Sequence, residues 1–282
     1  VRETSNPIFR SLPKQQGGYA QFGSGVAGAQ QVAYQADPYT TQYPPQTGVS
    51  RPMTIDDVVT KTGITLGVLS IVAVISYFLV SANLALAMPF TLVGALGGLA
   101  LVLVATFGRK QDNPAIVLSY AALEGLFLGA ISFVLANVVV SGANAGMLIG
   151  QAILGTIGVF FGMLVVYKTG AIRVTPKFTR MLVAGMVGVL VLMLGNFVLS
   201  MFGVGGGEGM GLRSGGSIAI IFSLVCIALA AFSFLLDFDA ADQMIRAGAP
   251  EKAAWGVALG LTVTLVWLYL EILRLLSYFQ QR

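Results

Sequence analysis

Seven stretches of predominantly apolar residues follow one another along the chain, each long enough for the roughly 20 residues that cross a bilayer as a helix. They predict transmembrane helices at about 62–82, 85–107, 114–138, 145–167, 180–202, 217–237 and 255–278. Only Ser81-Ala82-Asn83 separates the first two. Ahead of them the pattern is different: QQGGYAQFGSGVAGAQQVAYQ and DPYTTQYPPQTG are rich in Gln, Gly, Tyr and Pro and poor in aliphatic residues. Such a segment buries too little apolar surface to offset the entropy of folding, so residues 1–51 are predicted to be a disordered tail. Order is expected to begin at Pro52-Met53-Thr54-Ile55-Asp56-Asp57, where Thr54 caps a helix and both aspartates favour its positive end. Val1 to Pro13 lack a continuous apolar core, so no cleavable signal peptide is expected and the first span directs insertion. The chain thus divides into a tail, 1–51, and an all-α integral membrane domain, 52–282.

Composition strengthens this reading. Mean hydropathy is +0.84, and 56% of residues are hydrophobic against 10% charged, where a soluble domain carries about a quarter charged. Lipid is therefore the partner of most of the surface. The net charge of +4 and pI near 9.3 do not indicate nucleic acid, because the basic residues stand singly or in pairs between apolar spans. Their placement orients the chain instead. Arg51 and Lys61 flank the start of the first span, Arg109 and Lys110 follow the second, Lys168, Arg173, Lys177 and Arg180 lie between the fourth and fifth, and Arg246 and Lys252 precede the seventh. The other side has Arg213 and the terminal Arg282, and no basic residue around Ser141-Gly142-Ala143-Asn144. The positive-inside rule predicts a multi-pass protein of the plasma (inner) membrane with its N-terminus cytoplasmic and its C-terminus outside.

Several chemistries drop out. Histidine is absent and the single cysteine, Cys226, lies in an apolar run, which removes histidine-dependent hydrolysis, the usual zinc sites and an intrachain disulfide. Gly205-Gly206-Gly207 has no lysine at the spacing of a phosphate cradle. No enzyme and no cofactor are expected, beyond weakly bound calcium.

What remains is a small set of carboxylates in apolar surroundings, each of which costs a few kcal/mol by insertion scales and so calls for a reason. Glu124, ten residues into the third span, lies roughly 15 Å deep at helical rise. It reads either as a hydrogen-bonded protonated carboxyl or as a lining group of a cation or proton path. Asp237, Asp239 and Asp242 close the sixth span. Only Asp237 is expected within the membrane, and the other two read as solvated. Glu271 stands in the seventh span with Arg274 three residues on, an ion-pair partner at helical spacing. Glycines four apart, Gly94 and Gly98, Gly125 and Gly129, Gly158 and Gly162, Gly256 and Gly260, predict close helix contacts and a compact bundle.

The segments LEGLFLGAIS, LLDFDAADQMI and WLYLEILRLL resemble the Bax inhibitor (transmembrane Bax inhibitor motif) family, above all its bacterial YccA-like branch, over residues 52 to 282. The resemblance implies a bundle whose last helix is central and a pH-sensitive gate for calcium leak, in which a carboxylate leaving helix six pairs with one in helix seven. By motif the first is Asp237, with Asp239 as second choice, and the second is Glu271, which would also place any weak calcium site at Asp237 and Glu271. Asp237 and Glu271 are 34 residues apart, and a straight hairpin turning at Gly248-Ala249-Pro250 would offset them by roughly 15 Å. Whether the pair is Asp237 with Glu271 or Glu124 with Glu271, two carboxylates in one low-dielectric site titrate as a unit. The leading expectation is a proton-regulated cation leak. The alternative is a membrane interaction protein regulating partners such as membrane proteases, with the tail as docking segment.

Overall fold

The computed structural model describes residues 51–140 and 145–280. Apart from Arg51, the tail lies outside the described residues, and so do residues 141–144 and 281–282. The described chain forms α1 (Ile55–Ala82), α2 (Ala87–Phe107), α3 (Pro114–Phe133), α4 (Ala145–Thr169), α5 (Pro176–Met201), α6 (Ser217–Arg246) and α7 (Ala254–Gln280). All seven runs are long and apolar enough to cross a membrane. Large apolar side chains such as Ile71, Phe78, Leu96, Phe107, Phe161, Leu190 and Phe197 are exposed on the bundle surface, as a lipid-facing protein requires.

Local signals set the helix ends. Thr54 Oγ1 accepts the Asp57 amide at 3.4 Å while Asp57 Oδ2 accepts the Thr54 amide at 2.9 Å, so the expected capping box is closed from both sides. Asn113 caps α3 and Thr175 caps α5, each followed by proline at the first helical position, where the missing N–H costs nothing. Three helices outrun their apolar windows: α1 starts at Ile55, α5 at Pro176, and α6 continues to Arg246. The last extension is held by pairs at helical spacing, Gln243 donating to Asp239 at 2.6 Å and Arg246 to Asp242 at 2.8 Å. Gly248, with φ +67°, then turns the chain into α7.

One face of the bundle gathers the basic loops. The Met53 amide donates to the Ala249 carbonyl at 2.7 Å and the Glu251 amide to the Arg51 carbonyl at 3.0 Å. Lys61 Nζ reaches the Glu251 carbonyl at 2.7 Å, Lys252 pairs with Asp112 at 2.8 Å, and the Tyr167 hydroxyl lies 3.4 Å from Asp242. The start of α1 and the α2–α3, α4–α5 and α6–α7 connections therefore share this basic face. The α5–α6 segment lies at the opposite one, beside the last turns of α7.

The last helix is central. α7 packs against α1, α3, α4 and α6 and supplies side chains to every part of the core: Leu261 and Leu268 beside Phe234, Leu273 beside Leu148, Val266 beside Leu69 and Leu128, Leu259 beside Tyr120, and Trp267 beside Cys226. Two glycine pairs make the seams around it. A Cβ on Gly125 would stand 2.6 Å from the Leu69 carbonyl, and one on Gly129 would collide with the Ala73 carbonyl, so α1 lies directly on α3. A Cβ on Gly94 would stand 2.6 Å from the Leu123 carbonyl, which fixes α2 on the other side of α3. Gly158 and Gly162, by contrast, have nothing within 4 Å of a Cβ and make no such seam.

Candidate functional site

Among the described residues, two cavities that enter the bundle differ in the chemistry of their linings. The larger, about 530 Å³, lies between α1, α3, α4 and α7 and is walled by apolar side chains with a few hydroxyls, among them Ser132 and Tyr269, whose oxygens are 2.8 Å apart. No charged residue lines it. The smaller, about 410 Å³, opens on the basic face beside Thr106, Arg109, Gln111 and Asp112 and runs inward past Gly256 and Gly260 to Asp237. The rim aspartate is committed: the Lys252 ammonium 2.8 Å away holds Asp112 below the usual carboxylate range.

Asp237 sits at the inner end of this cavity because α6 and α7 form a straight antiparallel hairpin. It lies nine residues from Arg246, roughly 14 Å along the helix. Gly260 leaves room for the carboxylate, whose Oδ1 stands 3.8 Å from where a Cβ would be. Thr264 Oγ1 donates to Asp237 Oδ2 at 2.7 Å. Thr264 and Glu271 are seven residues apart on α7, two turns on one stripe, so Asp237 and Glu271 face the same α6–α7 seam roughly 10 Å apart along the axis. They do not touch. Between their levels Ala230, Phe234 and Leu268, all fully buried, close the seam with an apolar septum.

Beyond the septum Glu271 is 2% exposed. Its Oε1 accepts Arg274 Nη1 at 2.7 Å and lies 3.4 Å from Arg213 Nη2, while Oε2 has no partner. Ser223 on α6 and Tyr278 on α7 are its polar neighbours. Glu124 belongs to neither station. It lies in the α2–α3 seam with Tyr120 as its polar neighbour, where Oε1 would meet a Cβ on Gly98 at 2.8 Å and Oε2 is buried. Asp239 and Asp242 are occupied by Gln243 and Arg246 at the basic face. Among the described residues no three carboxylate or thiol side chains converge as a metal site would require.

A carboxylate leaving helix six and another in a central helix seven, at two levels of one seam, are the features on which comparison turns. The family model described as Bax inhibitor 1 like matches residues 6–281. The chain belongs to this family. No curated protein matches it by sequence. The family match begins at residue 6, well inside the segment that the motif resemblance, starting at residue 52, leaves aside.

Two residues of this Bax inhibitor site escape sequence reasoning. Thr264 carries no charge, and its only signal is its position two turns before Glu271 on the same stripe. Arg213 reads as a topology marker in a glycine-rich connection, and nothing in such a segment reveals that its side chain turns back into the bundle. Its one signal is isolation, as the sole basic residue between α5 and α6.

Proposed function

We propose that this Bax inhibitor family protein is a pH-sensitive cation leak, with calcium among its cations, in which Asp237 receives ions from the basic face and protonation of intramembrane carboxylates sets the gate. The observation that carries this reading is the charged-rimmed cavity ending on Asp237, in line with Glu271 and separated from it only by the Ala230, Phe234 and Leu268 septum. A partly buried carboxylate at the end of a polar cavity attracts a cation from water, whereas the protonated group offers none of that counter-charge. One carboxylate and one hydroxyl are too few oxygens to hold calcium firmly, which suits passage. The apolar septum is a barrier of the kind that gates by excluding water. In this reading the basic face is cytoplasmic in a plasma (inner) membrane, and no catalytic step is involved.

The test is flux in liposomes with Ca²⁺, Na⁺ and H⁺ compared. Wild-type protein should conduct with a pH-dependent rate. Asp237→Asn, which keeps the acceptor for Thr264 but cannot ionise, should lose the pH dependence. Silent liposomes at every pH would sink the leak and favour a membrane protein that regulates partners without ion flux.

A further inference from the structure

The mouth of the seam opposite the basic face holds more charge than neutrality asks for. Arg274 alone balances Glu271, at 2.7 Å. Arg213 adds a second guanidinium from another part of the chain, at the longer distance of 3.4 Å. Its further contacts are soft: Met193 Sδ at 3.4 Å and the Phe222 ring at 5.9 Å. Around it three buried oxygens, Glu271 Oε2, Ser223 Oγ and Tyr278 Oη, make no hydrogen bond of good geometry, Ser223 and Glu271 being polar neighbours, and one of its own nitrogens, Nη1, is likewise unsatisfied. Those three side chains are between 1% and 5% exposed. Buried oxygens left open in this way are costly unless something takes them up, and a cation is what they have in common as a ligand.

The segment that delivers Arg213 is rich in glycine and only lightly anchored to the bundle, through Asn196 and Leu212. Gly203, Gly205, Gly206, Gly207, Gly209, Gly211 and Gly215 all have left-handed φ. From Gly203 to Gly207 nothing lies within 4 Å of where a Cβ would be, so packing does not explain the glycines there. Within this strap Leu212 is the large side chain seated in the core, against Val189, Phe222 and Cys226, while Gly209 is buried against Asn196, whose Oδ1 accepts the Met210 amide at 2.7 Å. Leu212 and Arg213 together are thus a two-residue stopper on a pliant tether.

We propose that the α5–α6 segment is a tethered cation plug: the Arg213 guanidinium fills a cation site made by Glu271, Ser223 and Tyr278, and the path opens when it withdraws. The plug rests on the cation-leak reading above. Withdrawal leaves Glu271 paired with Arg274 and three oxygens free for a passing metal cation. While seated, the surplus positive charge repels any cation that crosses the septum.

The native cysteine gives a readout that does not depend on conduction. Cys226 is the only cysteine, fully buried, and packed on Leu212, so its reaction with a membrane-impermeant thiol reagent follows the fraction of time the stopper is out. Arg213→Gln, in the full chain reconstituted in liposomes, should raise the labelling rate about tenfold, since labelling of a protected group tracks the open population, and should raise Ca²⁺ flux in step. Arg213→Lys, with a compact ammonium in place of the planar fork, should fall between. Unchanged labelling and flux in Arg213→Gln, while Asp237→Asn still alters flux, would overturn the plug and leave the leak standing. Faster labelling with no flux in any protein would keep the stopper and sink the leak. If neither Arg213 variant folds, Arg213 is a structural ion pair and the plug is wrong.

Discussion

Glu271 faces two arginines and Asp237 faces a threonine, so amide substitution should cost them differently. Glu271→Gln leaves Arg213 and Arg274, whose side chains are 28% and 19% exposed, without their carboxylate. Breaking a fully buried pair costs about 3–5 kcal/mol, and because both arginines retain some access to solvent the expected loss here is about 2–3 kcal/mol. Asp237→Asn keeps an oxygen for Thr264 and should stay within about 1 kcal/mol of wild type. Thermal unfolding of both variants in one detergent decides it, and equal losses would show that the arginines contribute no stability through Glu271. At the rim, Asp112 is held below its ordinary range by Lys252. A depressed folded-state value means stability present above the unfolded carboxylate range and lost as pH falls through the folded one. The pair is exposed, so Asp112→Asn should cost less than about 1 kcal/mol at neutral pH. The gap to wild type should close in acid; a gap that persists there would mean Asp112 acts through something other than its charge.

Among the helices, the glycine pairs provide the sharpest contrast. Spacing alone treats Gly125 and Gly129 like Gly158 and Gly162, yet only the first pair lies under another helix. A methyl on Gly129 would meet the Ala73 carbonyl and stand 2.6 Å from Ser76 Cβ, and backbone cannot swing aside as a side chain can. Gly129→Ala should therefore cost more than about 2 kcal/mol by forcing α1 off α3. Gly162→Ala meets nothing and gains helix propensity, so it should be neutral or stabilising by up to about 1 kcal/mol. Similar melting temperatures for the two variants would refute the seam. The contrast also marks what the residues disclose. Helix count and the Thr54 cap follow from hydropathy and local chemistry, which each segment carries within itself. Which glycine faces a helix and which faces lipid depends on rotation about axes that are apolar all round, and no residue in α4 records it. The length of α6 is hidden for a related reason: hydropathy falls at Asp237, but backbone hydrogen bonding and the Asp242–Arg246 pair carry the helix about two and a half turns further.

Taken whole, the molecule has a basic face that clasps the start of α1 to the α6–α7 turn, and an opposite face where Arg213 lies against Glu271. The central position of α7 follows from the family resemblance and not from its hydropathy, which is below that of α1, α4 and α6; burial on all sides shows only once the helices are assembled. The two faces lead to a prediction about the membrane. Arg51, Arg109, Lys110, Lys168, Arg173, Lys177, Arg180, Arg246 and Lys252 all lie next to the start of α1, in the connections of one face or in the helix turns that adjoin them, and translocating them is what the positive-inside rule disfavours. A reporter active only in the cytoplasm should therefore work when inserted near Arg173, between α4 and α5. It should fail when inserted at Gly205–Gly207 or fused after Arg282, because an odd number of crossings separates those sites from Arg173. Activity at both Arg173 and the C-terminus would break the seven-span arrangement. Activity at Gly205–Gly207 and the C-terminus, with silence at Arg173, would keep seven spans but invert the protein. That result would place the Asp237 cavity outside the cell and the Arg213 stopper within it.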